Sequence, residues 1–259
     1  MCLLALAYKA HADCPLVLIG NRDEAYSRPT AALDRWPGEP IYGGRDLQAG
    51  GSWLALNRNG RLAALTNVRQ LPDPVVAGPS RGQLVADFVR QSQGPEAYFA
   101  RILAAPYPGF NLLAGTLDAL WYGSNRLGQP ARAVTPGIHG LSNAFLDSPW
   151  PKTTQLTTVL RCWLDRGDLS AWPELMAQLR DDTPAADTAL PQTGVPRDVE
   201  RALSSRFIRT AEYGTRSSIF LRIDRRAEVF WVEWRYDQQG QRCGQSEITF
   251  SLNSEALSC

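Results

Sequence analysis

The sequence predicts a layered α+β fold. Apolar runs with strand-like alternation pair into hairpins at both ends of the chain, and segments of helical period lie between them. No internal repeat or low-complexity segment interrupts that plan, so a single domain over residues 1–259 is expected.

Leu3 to Tyr8 and Leu16 to Ile19 flank the polar turn His11-Ala12-Asp13-Cys14, which suits a β-hairpin. A proline-rich loop is expected from Arg28 to Pro40. The stretch "GGSWLALNRNGRLAALTNVR" (50–69) reads as two strands about Arg58-Asn59-Gly60, because Asn-Gly supplies the positive φ of a tight hairpin. "SRGQLVADFVRQ" reads as a capped amphipathic helix with Leu84, Val85, Phe88 and Val89 on one face. "FNLLAGTLDALWYGSN" (110–125) returns to strand, turn and strand. Residues 151–181 have helical character broken at Gly167 and Pro173, and the proline-interrupted stretch 182–198 reads as a loop. "RSSIFLRIDRRAEVFWVEWRY" forms a further hairpin.

Hydrophobic residues make up 44% of the 259-residue chain, ample for a buried core. With 27 basic and 26 acidic side chains, nothing electrostatic favours nucleic acid or an anionic membrane as partner. No apolar run approaches the roughly 18 residues of a membrane span. The first residues lack a basic leader and a small-residue cleavage site, so no signal peptide is expected. The five cysteines, at 2, 14, 162, 243 and 259, have neither disulfide-framework nor zinc spacing. A reduced, cytoplasmic protein with no metal and no resident cofactor is the expectation, and its oligomeric state is left open.

Cys2 sets the functional question. It is small enough for methionine aminopeptidase to remove Met1, which would leave a thiol and a free α-amine on one residue. A nucleophile with its own base is an established catalytic device. With the first turn centred between Ala12 and Asp13, antiparallel partners have numbers summing to about 25. Cys2 then lies opposite Asp23, with Arg22 and Glu24 beside it. A slip of one or two residues changes the nearest neighbour but keeps the encounter, at roughly 4.5–5.5 Å for direct partners. A neighbouring cation lowers a thiol's pKa, and a carboxylate can orient the amine. The competing reading is a small buried hydrophobe at Cys2 beside a structural Arg22–Asp23 ion pair.

Asn21-Arg22-Asp23-Glu24 after an opening Met-Cys strand resembles the signature of the NRDE family, also called the transport and Golgi organization 2 family. "GGSWLALNRNGRLAALTNVR", "SRGQLVADF", "GFNLLAG", "YGSNR", "LSNAFLDSPWPK" and "YGTRSS" extend the resemblance, in order, along almost the whole chain. It implies an N-terminal-nucleophile (Ntn) hydrolase-like fold, with two antiparallel sheets in four αββα layers and Cys2 at the mouth between the sheets. It also implies a connection with haem trafficking or with lipid and acyl-CoA handling. More distantly, the chain is similar to the cysteine Ntn amidases of the bile-salt hydrolase and penicillin acylase group. That likeness implies Cys2 as nucleophile, with Arg22 and Asp23 (or Glu24) closing the first hairpin. Asn143 in "LSNAF" is the implied side-chain oxyanion donor and Asn67 in "LTNVR" the backbone donor. The order departs from the amidases, which read Arg-Asn-x-Asp where this chain reads Asn-Arg-Asp-Glu. Arg216 in "YGTRSS" is favoured as the second site arginine over Arg206 in "LSSRFIR". Asn21, Glu24 and Trp53 complete the expected substrate-binding set.

Several features have plainer readings. Gly50-Gly51 suits a bulge where a strand starts, and "LDSPWPK" a rigid loop that holds Asn143. Trp53, Trp231 and Trp234 lie in strand patterns, and Cys14-Pro15 is too short to identify a haem site. Only His11 and His139 offer imidazole, so a permanently held haem is not expected. Two functions compete. One is a cysteine Ntn-type enzyme, hydrolase or acyltransferase, acting on a small amide or thioester. The other is a non-catalytic carrier for an apolar ligand such as haem or acyl-CoA.

Overall fold

The structure is a computed structural model that describes residues 2–72 and 78–253. Strands are numbered in chain order. The first sheet contains β1 (Cys2–Tyr8), β2 (Leu16–Ala25), β10 (Gly137–Leu141), β11 (Tyr213–Ile223), β12 (Glu228–Tyr236) and β13 (Arg242–Ser251). Its order is β10-β1-β2-β11-β12-β13. The second sheet runs in simple sequence order through β3 (Thr30–Arg35), β4 (Ile41–Asp46), β5 (Leu54–Asn57), β6 (Leu62–Asn67), β7 (Phe110–Gly115), β8 (Leu120–Ser124) and β9 (Arg132–Ala133). Every paired neighbour is antiparallel.

Strand alternation creates the layers. Leu4, Leu6 and Tyr8 of β1 join Leu56, Leu62, Leu113 and Trp231 in a core between the two sheets. The intervening Leu3, Ala5 and Ala7 face outward onto α3 (Pro151–Asp165) and α4 (Trp172–Gln178), against Leu156, Leu160, Trp163 and Met176. Behind the second sheet, Ala63, Leu112 and Ala114 pack on α1 (Gly82–Arg90) and α2 (Pro95–Leu103) through Phe88, Tyr98 and Phe99. A short α5 (Arg197–Ala202) follows the long 179–196 connection. The result is an α+β protein with two antiparallel sheets in four αββα layers. Among the described residues, no helix is long and apolar enough to cross a membrane.

Local structure departs from the sequence expectations in definite places. The 28–40 stretch is not all loop: β3 is the edge strand of its sheet, and Pro29 and Pro37 stand outside it. Helix α1 has no side-chain N-cap; the Ser80 carbonyl instead accepts the Gln83 N–H at 3.0 Å. Gly50-Gly51 forms a turn, with the Asp46 N–H donating to Gly51 and Gly50 at φ +76°. A Cβ on Gly51 would lie 2.3 Å from the Gly82 backbone, so this glycine lets the start of α1 dock against the turn. Gly167, at φ +70°, separates α3 from the 3-10 turn Leu169–Ala171, and Pro173 lies in the first turn of α4. The first hairpin is one residue out of the expected register: Cys2 pairs with Arg22, not Asp23. That slip decides which side chains share a face with the thiol.

Candidate active site

At the open end of the first hairpin, Cys2 and Arg22 are direct partners on the face turned toward the second sheet. The adjacent cavity, about 220 Å³, is lined by Cys2, Arg22, Asp23, Glu24, Trp53 and Asn67. Arg28, Asp46, Ser52, Leu65, Tyr213 and residues Ser80, Arg81 and Gly82 at the start of α1 complete the wall. A larger groove of about 520 Å³ runs along residues 187–200 but contains no cysteine.

Arg22 is buried and held on three sides. Its guanidinium stacks over Trp53 at 4.2 Å, donates to the Thr30 hydroxyl at 3.0 Å and lies 3.9 Å from the Glu24 carboxylate. Across the cavity Arg28 pairs with Asp46 at 2.6 Å. Asp23 is 1% exposed. Its Oδ1 accepts the Thr215 hydroxyl at 2.7 Å, and its backbone carbonyl accepts Tyr213 Oη at 2.8 Å. Burial pushes the Asp23 carboxyl above the usual range, opposed first by the ammonium of Lys152.

The Cys2 thiol behaves otherwise than expected. Arg22 does act to lower its pKa, but burial is the larger influence and the net direction is upward. Cys14 is also buried and raised, whereas Cys162 and Cys243 are exposed. Limited iodoacetamide at neutral pH should therefore label Cys162 and Cys243 before Cys2 and Cys14. Peptide mapping decides this order, and prior labelling of Cys2 would mean a thiolate stabilised beyond what burial permits. Cys259 lies outside the described residues.

Asn67 lines the cavity, and its carbonyl accepts the Asn143 side-chain amide at 3.0 Å. Asn143 itself is fully buried and does not line the cavity. Next to it, Ser142 donates to the Cys2 carbonyl at 3.3 Å, so the Asn143 loop is tied directly to β1. The second sheet grips the same loop. Thr66 donates to the Ser142 carbonyl, Asn111 to Ala144 at 2.8 Å, and the Leu146 N–H to Tyr122 Oη at 3.1 Å. These bonds hold the Asn143 loop against the second sheet.

At the far end of the loop, His139 Nδ1 meets Asp147 at 2.8 Å and Nε2 meets the Thr135 carbonyl at 2.8 Å. Both partners are acceptors, so only the imidazolium satisfies both contacts. Hydrogen bonding to Asp147 raises the His139 pKa; burial works to raise the Asp147 carboxyl, but its bonds to His139 and the Gly140 N–H, with the charges of His139 and Arg132, together outweigh burial and hold it below the usual range. The Asp147 contribution to stability is present above the ordinary carboxylate pKa, near 4, and is lost as pH falls through its depressed value. The His139 contribution is full below about 6.5 and is lost as pH rises through its raised value. Asp147→Asn should therefore lower the melting temperature most at pH 5–6 and least at pH 9. A difference independent of pH would exclude this clip.

Other expected residues lie elsewhere. Asn21 projects from the opposite face of β2, where its amide donates to the carbonyls of Leu179 at 2.9 Å and Arg206 at 2.7 Å. It is not brought to the cavity: its side-chain oxygen accepts the Ser218 hydroxyl at 2.6 Å, so both ends of the amide are engaged away from Cys2. Arg216 directs one guanidinium nitrogen at the carbonyls of Ala25, Tyr26 and Arg28, 2.9–3.2 Å away. It fixes the turn that carries Arg28 and does not line the cavity. Arg206 is bound to Asp181, in the connection that follows α4. Arg28, Asp46, Arg81, Tyr213 and the buried Lys152 were not anticipated, although "YGTRSS" and "SPWPK" contain two of them. Among the described residues, no cluster of three His, Cys, Asp or Glu side chains is placed to hold a metal.

The family model for Transport and Golgi organisation 2 matches residues 1–238. The chain belongs to that family. It is 33% identical over 238 residues to the Bos taurus Transport and Golgi organization protein 2 homolog, covering 84% of this chain and 85% of the relative. The Mus musculus Transport and Golgi organization 2 homolog is 30% identical over 262 residues, covering 92% of this chain and 93% of the relative. Solved structures with a distant likeness include a mutant conjugated bile acid hydrolase from Clostridium perfringens, at TM-score 0.42 and 8% identity, covering 100% of this chain and 99% of that one. Another is the Caenorhabditis elegans N-acylethanolamine-hydrolyzing acid amidase ortholog, at TM-score 0.36 and 10% identity, covering 68% and 85%. In this transport and Golgi organisation 2 chain, every residue lining the cavity, from Cys2 to Tyr213, falls within the matched stretch.

Proposed function

We propose that the chain is an Ntn-type acyl-transfer enzyme whose nucleophile is Cys2 after removal of Met1. The thiol proton passes to the Cys2 α-amine, and sulfur attacks the acyl carbon of an amide or thioester. The Asn67 backbone N–H and, from behind the cavity wall, the amide hydrogen of Asn143 that its bond to the Asn67 carbonyl leaves over stabilise the oxyanion of the tetrahedral intermediate. Collapse breaks the bond to the leaving nitrogen or sulfur, which takes the proton from the α-ammonium. Water or an acceptor amine then adds to the thioester and regenerates the thiol. Asp23 orients the amine, and Arg22 braces the strand pair and the charge around it.

The observation that carries this reading is the cavity itself, a polar recess at the Cys2–Arg22 pair. Six of its lining residues carry charge: Arg22, Asp23, Glu24, Arg28, Asp46 and Arg81. Its volume of about 220 Å³ is below the roughly 300–1,000 Å³ of pockets that enclose drug-sized ligands. Size and polarity favour a small polar acyl group over an enclosed haem or acyl-CoA, and no histidine lines the wall. The test is a screen of p-nitroanilide and acyl-CoA substrates beside titrations with haem and acyl-CoA. Turnover abolished by Cys2→Ala is expected. Micromolar haem or acyl-CoA binding that survives Cys2→Ala, with no product from any substrate, would replace this reading with the carrier.

A further inference from the structure

Arg69 is a buried residue that the acyl-transfer scheme leaves unused, and its backbone and side chain engage different parts of the molecule. It follows Asn67 by two residues, where the chain leaves β6. Its backbone N–H donates to the Asn143 carbonyl at 2.8 Å, and the Asn143 amide returns a bond to the Asn67 carbonyl at 3.0 Å. The two bonds join residues 67–69 and Asn143 into one unit. The Arg69 side chain does not line the cavity. Its Nη2 meets the Glu200 carboxylate of α5 at 2.9 Å, and its Nε donates to the Thr193 hydroxyl at 3.2 Å. The guanidinium also lies over the Trp150 ring at 4.9 Å, beyond the far end of the Asn143 loop. Glu200 is buried too, and its other oxygen accepts the Thr193 N–H at 2.8 Å. The Thr193 carbonyl in turn accepts the Leu71 N–H at 2.7 Å, so the connection before α5 and residues 69–71 hold each other from both sides.

We propose that Arg69 is a positioning residue: its ion pair with Glu200 and its stack on Trp150 lock the end of β6 to the Asn143 loop and so set the Asn67 N–H and the Asn143 amide relative to Cys2. The consequence for turnover rests on the acyl-transfer reading; the lock itself does not. Oxyanion stabilisation needs donors held within hydrogen-bond range of the developing charge, and a misplacement of about 1 Å can cost roughly a hundredfold in rate. The second sheet grips the loop at Ser142, Ala144 and Leu146, whereas the Arg69 N–H reaches Asn143 itself. Arginine suits the task because its planar fork bonds Thr193 and Glu200 at once while its face stacks on the indole. A lysine would keep the charge, but as a point donor on a flexible stem it has neither fork nor flat face.

Arg69→Lys tests this, because the charge beside Glu200 stays while the fork is lost. NMR of the asparagine side-chain amides, with the Asn143 pair assigned by its loss in Asn143→Ala, reads the donor directly in folded protein. The expected result is a displaced Asn143 amide signal, with kcat lower by about tenfold or more and KM within about twofold. A residue that only stabilises the fold would lower the melting temperature and leave the Asn143 signal and kcat of the folded protein unchanged. Should Arg69→Lys not fold, Arg69→Met combined with Glu200→Leu removes both buried charges and leaves neither unpaired, and the same displacement and loss are expected. An Asn143 signal at its wild-type position in either folded variant, or a smaller loss of kcat, overturns the proposal. In wild-type protein the Arg69 N–H should exchange with solvent as slowly as those of β6, and fast exchange would overturn it as well. If the wild type turns over no substrate, a displaced Asn143 signal upholds the lock, and the acyl-transfer reading alone is lost.

Discussion

Asn143→Ala is expected to slow turnover by roughly 10²–10³-fold, the cost of losing one oxyanion donor. The effect belongs in kcat, because the donor is fully used only as charge develops on the substrate oxygen. The structure adds a second consequence. The Asn143 amide satisfies the Asn67 carbonyl at 3.0 Å in a buried setting, so its removal should also cost about 1–3 kcal/mol of stability. A control separates the two effects. Thr66→Val removes the hydroxyl that pins the Ser142 carbonyl, and should lower stability with little loss of rate. An Asn143→Ala enzyme that turns over at the wild-type rate would eliminate Asn143 as the donor.

Arg22→Ala should be among the most destabilising single changes at the site. It removes a charge-assisted bond to Thr30, the stack on Trp53 and a counter-charge near Asp23 and Glu24. Glu24 is partly exposed and 3.9 Å away, so the ion-pair share is small and the total is about 2–3 kcal/mol. For a chain of this length that is a fall of roughly 4–12 °C in melting temperature. Arg61, on the polar side of the β5–β6 hairpin by sequence, would not serve as an exposed control. It stacks on Phe88 at 4.0 Å and donates to the Phe88 and Gln93 carbonyls. Arg166, in an exposed pair with Glu174, is the suitable comparison and should shift the melt by little. Equal melts for Arg22→Ala and Arg166→Ala would refute the bracing role of Arg22.

The meeting of Cys2 with the Asn21–Glu24 cluster was legible because a short polar turn between apolar runs constrains the pairing to within a residue or two. That residue mattered. A one-place slip exchanges Arg22 for Asp23 opposite the thiol, and the turn alone does not fix it. Strand β13 was missed because it is an edge strand whose exposed polar residues hide its alternation. Strand β10 is too short to stand out. Helix α2 did carry a signal, with Pro95 in its first turn and Tyr98, Phe99 and Ile102 on one face. The other unanticipated residues share a different cause. Arg28 and Asp46 are charged residues in stretches that read as loop or as nothing, and Lys152 sits in a helix where lysine ordinarily means a solvated face. Their burial follows from the two sheets and α3 converging on one point, which local pattern does not encode.

In the proposed reaction Cys2, freed of Met1, takes up the acyl group. Peptide mass spectrometry of acid-quenched protein after brief exposure to a p-nitrophenyl acyl ester measures this directly. An amino-terminal peptide that begins at Cys2 and carries one acyl group is expected, with no such peptide in Cys2→Ala. Full retention of Met1, or acylation confined to the exposed Cys162 and Cys243 while Cys2 stays unmodified, would contradict it.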